Sequence, residues 1–177
     1  MVNKPPGSPN DLKILSFKSS FHGRMLGSLS TTHSKAIHKV DIPAFNWPIA
    51  SFPNLRYPLE EFKTENEQEE RRCLEECENL IKSSKNVAAM IIEGIQGEGG
   101  DKDASNSFFQ GLQAIAKRND VTFIVDEVQS GVGATGKFWA FENWNLETSP
   151  DIVVFSKKMQ AAGFFSNEKF RAPHAYR

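Results

Sequence analysis

Four short apolar runs punctuate this chain, and each ends in charged or polar residues. Leu12 to Phe17 alternates weakly and predicts a short strand. Val87 to Ile92, stopping at Glu93, and Val121 to Val125, stopping at Asp126-Glu127, are continuous and predict buried strands. Asp151 to Phe155 is the fourth run, with Ser156-Lys157-Lys158 directly after it. Between the runs the period lengthens. Pro58 to Lys82 predicts the clearest helix, with a proline suited to its first turn and an intermittent stripe including Leu59, Phe62, Cys73, Cys77 and Ile81. Its stretch Glu60 to Arg72 is mostly charged, which predicts a solvated outer face. Asp103-Ala104-Ser105 caps a second helix through Lys117, where Phe108, Leu112, Ile115 and Ala116 recur at helical spacing.

Weaker patterns fill the remainder. Met25 to Thr32 predicts a helical turn or two, and Phe138 to Trp144 a short aromatic helix. Ile42 to Tyr57 carries Pro43, Pro48 and Pro53, with Pro58 just beyond, which forbids a continuous helix or central strand and predicts an irregular loop. Strands alternating with helices argue for an α/β fold, a mostly parallel sheet flanked by helices. Four strands at best leave such a sheet with at least one raw edge. Residues 1–12 are expected to be an irregular N-terminal segment, and 13–177 one partial domain.

Composition narrows the partners. In 177 residues, Lys and Arg number 21 against 22 Asp and Glu, so no broad attraction to nucleic acid or anionic lipid is expected. A hydrophobic content of 39% with 14 Phe suits a globular protein. No apolar run approaches spanning length, so no membrane partner is expected. The opening residues are too proline-rich and polar for a signal peptide or transit helix. Cys73 and Cys77 stand four apart on the long predicted helix. With no other Cys and no nearby His they are expected to be reduced thiols, neither a disulfide nor part of a metal site.

Candidate chemistry lies where the runs end, since ligands of open α/β sheets sit at the carboxyl ends of strands. A lone Asp126 would most simply cap a turn, and a Lys-Lys pair is usually a solvated surface. Brought together, the two types suit a cofactor with a basic ring nitrogen and an aldehyde, as pyridoxal phosphate has. Asp126 would keep the ring nitrogen protonated, Val128 would pack on the ring, and Gln129 would bond a ring substituent. Lys157 follows an apolar strand, where partial desolvation would favour an amine nucleophile; Lys158 competes for the role. In Phe21-His22-Gly23-Arg24, either aromatic residue could stack on a flat ring, and the Arg24 fork suits a carboxylate. The glycine-rich run Glu93 to Gly100 reads as a connection between strand and helix or equally as a phosphate nest, though its two glutamates argue against an anion.

Together these segments resemble the class III, pyridoxal-phosphate-dependent aminotransferases of fold type I. The matching text runs from Ile14-Leu15-Ser16-Phe17 and Phe21-His22-Gly23-Arg24 through Thr31-Thr32-His33-Ser34-Lys35. It continues through Ile91-Ile92-Glu93 and Glu98-Gly99-Gly100 to Asp126-Glu127-Val128-Gln129 and Gly136-Lys137-Phe138-Trp139. The loop at 41–60 and Phe155-Ser156-Lys157-Lys158-Met159 resemble the branch acting on 4-aminobutyrate. The resemblance implies a partial large domain of that fold and pyridoxal 5'-phosphate as cofactor. It implies catalytic roles for Lys157, as the Schiff-base lysine, and Asp126. Phe21, His22, Val128 and Gln129 would contact the cofactor, and Arg24 and Glu98 the substrate side. The implied reaction moves an amino group from 4-aminobutyrate to 2-oxoglutarate, giving succinate semialdehyde and glutamate, in a homodimer of the full-length protein.

Two departures and one expectation about length qualify the resemblance. Gly94 stands where the family has proline, and Met159-Gln160-Ala161-Ala162-Gly163 is poorer in glycine than the family pattern. Family members are more than twice this length, so a fragment is expected. It would lack the loop gripping the cofactor phosphate, a second substrate arginine and the small domain, and would turn over poorly alone. Another class III ω-amino acid or ornithine-type activity, or a non-catalytic remnant, are the alternatives. An intracellular location, cytoplasmic or mitochondrial, is expected.

Overall fold

The computed structural model describes residues 11–171, so most of the irregular segment expected over 1–12 and the last six residues of the expected domain lie outside the described residues. Six strands form one sheet: β1 (Lys13–Phe17), β2 (Ile49–Ala50), β3 (Val87–Glu93), β4 (Thr122–Asp126), β5 (Ile152–Phe155) and β6 (Gly163–Ser166). Their order is β2-β1-β3-β4-β5-β6, parallel throughout except for the antiparallel pair β5–β6. The helices are α1 (Leu26–Ser30), α2 (Lys63–Ser83) and α3 (Asn106–Arg118). Mixed, mostly parallel and helix-flanked, the sheet has the expected α/β architecture.

The expectation of four strands is corrected to six. Strand β2 lies between Pro48 and Pro53 inside the proline-rich loop and pairs only with β1. At a sheet edge those prolines interrupt no ladder, which is why they tolerate a strand here. Strand β6 is half of a hairpin formed after the run at 157–162, and its exposed Phe164 and Phe165 form the other edge. The long helix is also corrected: it begins at Lys63, after turns in which Glu61 and Phe62 both donate to the Pro58 carbonyl. The Arg56 guanidinium lies 3.9 Å from the Phe62 ring centroid at that start. The aromatic helix shrinks to a 3-10 turn, Ala140–Asn143.

Helices α2 and α3 pack on each other and on the sheet. Their apolar faces, with Phe17, Met90, Phe123 and Val125 from the strands, enclose a core containing Phe108, Phe109, Leu112 and Trp144. Each such fully buried side chain contributes about 1.5–3 kcal/mol relative to exposure. Cys73 and Cys77 are both in this core as free thiols, and burial pushes each up to about 12, so neither is a ready thiolate. Among the described residues no helix is long and apolar enough to cross a membrane, and no group of three or more His, Cys, Asp or Glu could hold a metal.

Glu70 departs from the solvated face expected of its charge run: it is buried and grips the start of α3. Its carboxylate accepts from the Ser105 N–H at 2.7 Å and the Ser105 hydroxyl at 2.6 Å, while Ser105 Oγ accepts from the Phe108 N–H at 3.2 Å. Ser105→Ala removes that cap and one partner of a buried carboxylate. The expected cost is about 1–2 kcal/mol. A lower urea midpoint at unchanged slope would check it, and an unchanged midpoint would refute it.

Register brings the chemistry together. Glu93 pairs with Asp126, and Asp126 with Val154, so the carboxyl ends of β3, β4 and β5 meet at one edge beside the loop that follows β1.

Candidate active site

A cavity of about 120 Å³ opens at that edge. Phe21, His22, Glu93, Asp126, Val128, Gln129 and Lys157 line it, with Gly23, Ile95 and Ser130. Asp126 and Lys157, expected to share one site, therefore face the same space.

Asp126 ends β4 and is buried. Its Oδ2 lies 2.8 Å from His22 Nδ1, and its Oδ1 accepts from the Val128 N–H at 3.0 Å. The His22 side chain is 1% exposed, and its buried Nε2 has no hydrogen-bond partner among the described residues. His22 thus backs the carboxylate edge-on; of the two aromatic residues proposed for stacking, Phe21 is the one without a bond to Asp126. The ring of Phe21 makes an edge contact with His38, centroids 5.1 Å apart. Behind His22, burial drives His33 down to about 4, with Lys39 adding to the effect, so it is a neutral acceptor or donor to Ser16 Oγ at 2.9 Å.

Lys157 follows β5 in a 3-10 turn with φ at +41°, a left-handed value that is strained for a residue with a side chain. Its Nζ donates to Gln129 Oε1 at 2.7 Å. Lys158 reaches only the Gln129 carbonyl, at 3.5 Å, and does not line the cavity. The Lys157 side chain is exposed, so the partial desolvation expected from the preceding strand is not supplied by the described residues. Gly97 leaves room for Gln129: a Cβ there would come 2.5 Å from Gln129 Nε2.

Arg24 and Glu98 are not brought into the cavity. Arg24 is exposed, and Glu98 pairs with Lys35 at 3.0 Å near the surface. That ion pair holds Glu98 below the usual carboxylate range. Two further acids at run ends, Glu127 and Glu93, have structural or site-lining places. Glu127 is buried, accepting from Ser130 Oγ at 2.6 Å and the Phe141 N–H at 3.0 Å, which ties the glycine loop to β4. Glu93 lines the cavity beside Asp126 and accepts from the Phe21 N–H at 2.9 Å. The signal for Glu93 was present in the sequence: like Asp126, it is an acid that terminates an apolar run.

This donor set fits a pyridine aldehyde. Each Asp126 oxygen has one partner and retains acceptor capacity on the cavity side. An amine and an apolar Val128 wall share the space.

The family described as Aminotransferase class-III matches residues 2–176. The chain is 64% identical to the 4-aminobutyrate aminotransferase of Emericella nidulans over 179 aligned positions, covering 100% of this chain and 36% of that protein. It is 58% identical to the mitochondrial 4-aminobutyrate aminotransferase of Homo sapiens with the same coverage. Among solved structures, a lysine aminotransferase from M. tuberculosis superposes with a TM-score of 0.81 at 33% identity, over 87% of this chain and 35% of that one. The chain thus spans about a third of the length of the curated relatives it matches.

Proposed function

The chain belongs to the class III aminotransferase family, and on that premise we propose that residues 13–177 are part of the large domain of a pyridoxal-phosphate-dependent transaminase. The proposed reaction moves the amino group of 4-aminobutyrate to 2-oxoglutarate, giving succinate semialdehyde and glutamate. The observation that carries the reading is a buried carboxylate and a lysine amine, Asp126 and Lys157, lining one cavity. The high identity to 4-aminobutyrate aminotransferases from a fungus and a mammal supports the choice of amino donor.

Bound there, pyridoxal phosphate supplies an aldehyde for an amine and a ring that accepts electron density from the substrate carbon. The chain's own residues bind, orient and move protons. Asp126, held by His22 and the Val128 N–H, would accept from the ring nitrogen and keep it protonated. Val128 and Phe21 form apolar walls. Gln129 holds the Lys157 amine, and Lys157 would be the group that moves a proton to and from the substrate carbon. Arg24, on the loop beside the cavity, is proposed for the substrate carboxylate, and Glu98 for the substrate side as the partner of a cation, as it is of Lys35 here. In the whole protein a homodimer is proposed, in an intracellular location that is cytoplasmic or mitochondrial, the mitochondrial designation being that of the human relative.

A hydrogen bond to a charged group contributes about 1.5–3 kcal/mol, which converts to roughly 10–100-fold in affinity. Asp126→Asn is therefore expected to weaken pyridoxal phosphate binding by that factor, measured by titrating the cofactor absorbance. Equal affinity in the two proteins would overturn the reading. Comparing 4-aminobutyrate with ornithine as donor tests the substrate; a preference for ornithine would move the assignment within the class.

A further inference from the structure

We infer that Glu93 is a second working carboxyl of this site, a positioning residue that stays protonated beside the Asp126 carboxylate and holds the Phe21 main chain against the cavity. The role given to Phe21 and Asp126 rests on the transaminase reading; the placement of the proton does not.

Glu93 ends β3 and is the register partner of Asp126 on β4. Paired residues of adjacent parallel strands send their side chains to the same face, on backbones about 4.8 Å apart. Both line the same cavity, and Glu93 is 7% exposed. Two carboxylates so placed cannot both ionise without a large penalty, so one proton is retained. The surroundings decide where. Asp126 has an imidazole on one oxygen and a main-chain N–H on the other, whereas among the described residues Glu93 has one donor, the Phe21 N–H. The better-stabilised charge is on Asp126, and Glu93 keeps the proton.

Electrostatics point the same way. Burial pushes Glu93 up to about 7, Asp126 adds to that push, and His22, the Phe21 N–H and Lys157 oppose it. Among the described residues the titratable side chains acting on Glu93 are Asp126 at the end of β4, His22 on the loop after β1 and Lys157 on the loop after β5. A neutral acid also offers the cavity an O–H donor, which a carboxylate lacks. The sign for stability follows. Because the folded value lies above the ordinary 4.5, the stability associated with neutral Glu93 is complete below 4.5 and lost as pH rises through about 7. Glu93→Gln removes that loss and should gain on the wild type across this window.

The test uses the full chain in three forms, wild type, Glu93→Gln and Glu93→Ala, with infrared spectroscopy and amide hydrogen exchange. Below about 7 the wild type should show a protonated-carboxyl band that is absent from Glu93→Gln and vanishes from the wild type above that value. The Phe21 amide should be as protected in Glu93→Gln as in the wild type, and exchange about tenfold faster or more in Glu93→Ala, the loss of one hydrogen bond. No band difference below about 7, or Phe21 protection lost equally in both variants, would overturn the inference. If Glu93→Ala does not fold, the band and the Glu93→Gln exchange decide. Neither readout involves the cofactor. A protein that ignores pyridoxal phosphate would sink the transaminase reading and leave the Glu93 proton standing, and a missing band with normal cofactor uptake would do the reverse.

Discussion

Lys157→Ala is expected to abolish covalent attachment of pyridoxal phosphate on borohydride reduction, while Lys158→Ala retains it. The two lysines are adjacent, and no argument from composition separates them. The turn after β5 does. Lys157 takes a left-handed backbone conformation, lines the cavity and bonds Gln129 Oε1 at 2.7 Å. Lys158 stands off at 3.5 Å from the Gln129 carbonyl. On the proposed reading, Lys157→Ala would also remove the proton carrier from the whole protein, a contribution worth roughly 10²–10⁴-fold in turnover. Mass analysis of the reduced peptide gives the answer directly. Label found on Lys158, or surviving in Lys157→Ala, would reverse the assignment.

Phe109→Ala is expected to be the most damaging single change to the fold. Phe109 is fully buried in α3, stacked on Trp144 with centroids 3.8 Å apart and edge-on to Phe108 at 5.7 Å. Truncating a buried Phe costs about 3–5 kcal/mol, because the surrounding rings close the cavity only in part. Against a total of about 5–15 kcal/mol for a typical domain, that is a large share. Thermal unfolding should begin roughly 6–20 °C lower, from about 2–4 °C per kcal/mol at this size. Phe164→Ala, at an edge-strand position 67% exposed, is the control and should shift the midpoint little. Equal shifts in the two variants would mean that α3 does not organise the core.

Strands β1, β3, β4 and β5 were legible because each is an apolar run bounded by polar residues, a pattern carried by neighbours in sequence. Strand β2 was not, since two residues between prolines have no period and become a strand only by pairing with β1. Strand β6 depends likewise on folding back against β5. The start of α2 was misplaced because Pro58 is equally at home in a first helical turn and in the turn that precedes one. At the site, Asp126 and Lys157 stood out through their positions at run ends. Glu93 had the same credential, but its glycine-rich continuation drew the reading toward a loop.

Arg24 and Glu98 show the complementary limit. Both lie on loops, where no periodicity says which way a side chain faces, and the described residues leave them outside the cavity, Glu98 on Lys35. From local pattern came the α/β class, the strand ends that bear charge and the pairing of an acid with an amine. From long-range register came the meeting of Glu93 with Asp126, the imidazole behind the carboxylate and the preference for one lysine over its neighbour. The division has a single physical cause: apolar periodicity is a property of adjacent residues, whereas the distance between two side chains is set by segments remote in the chain that hydrogen bonding aligns.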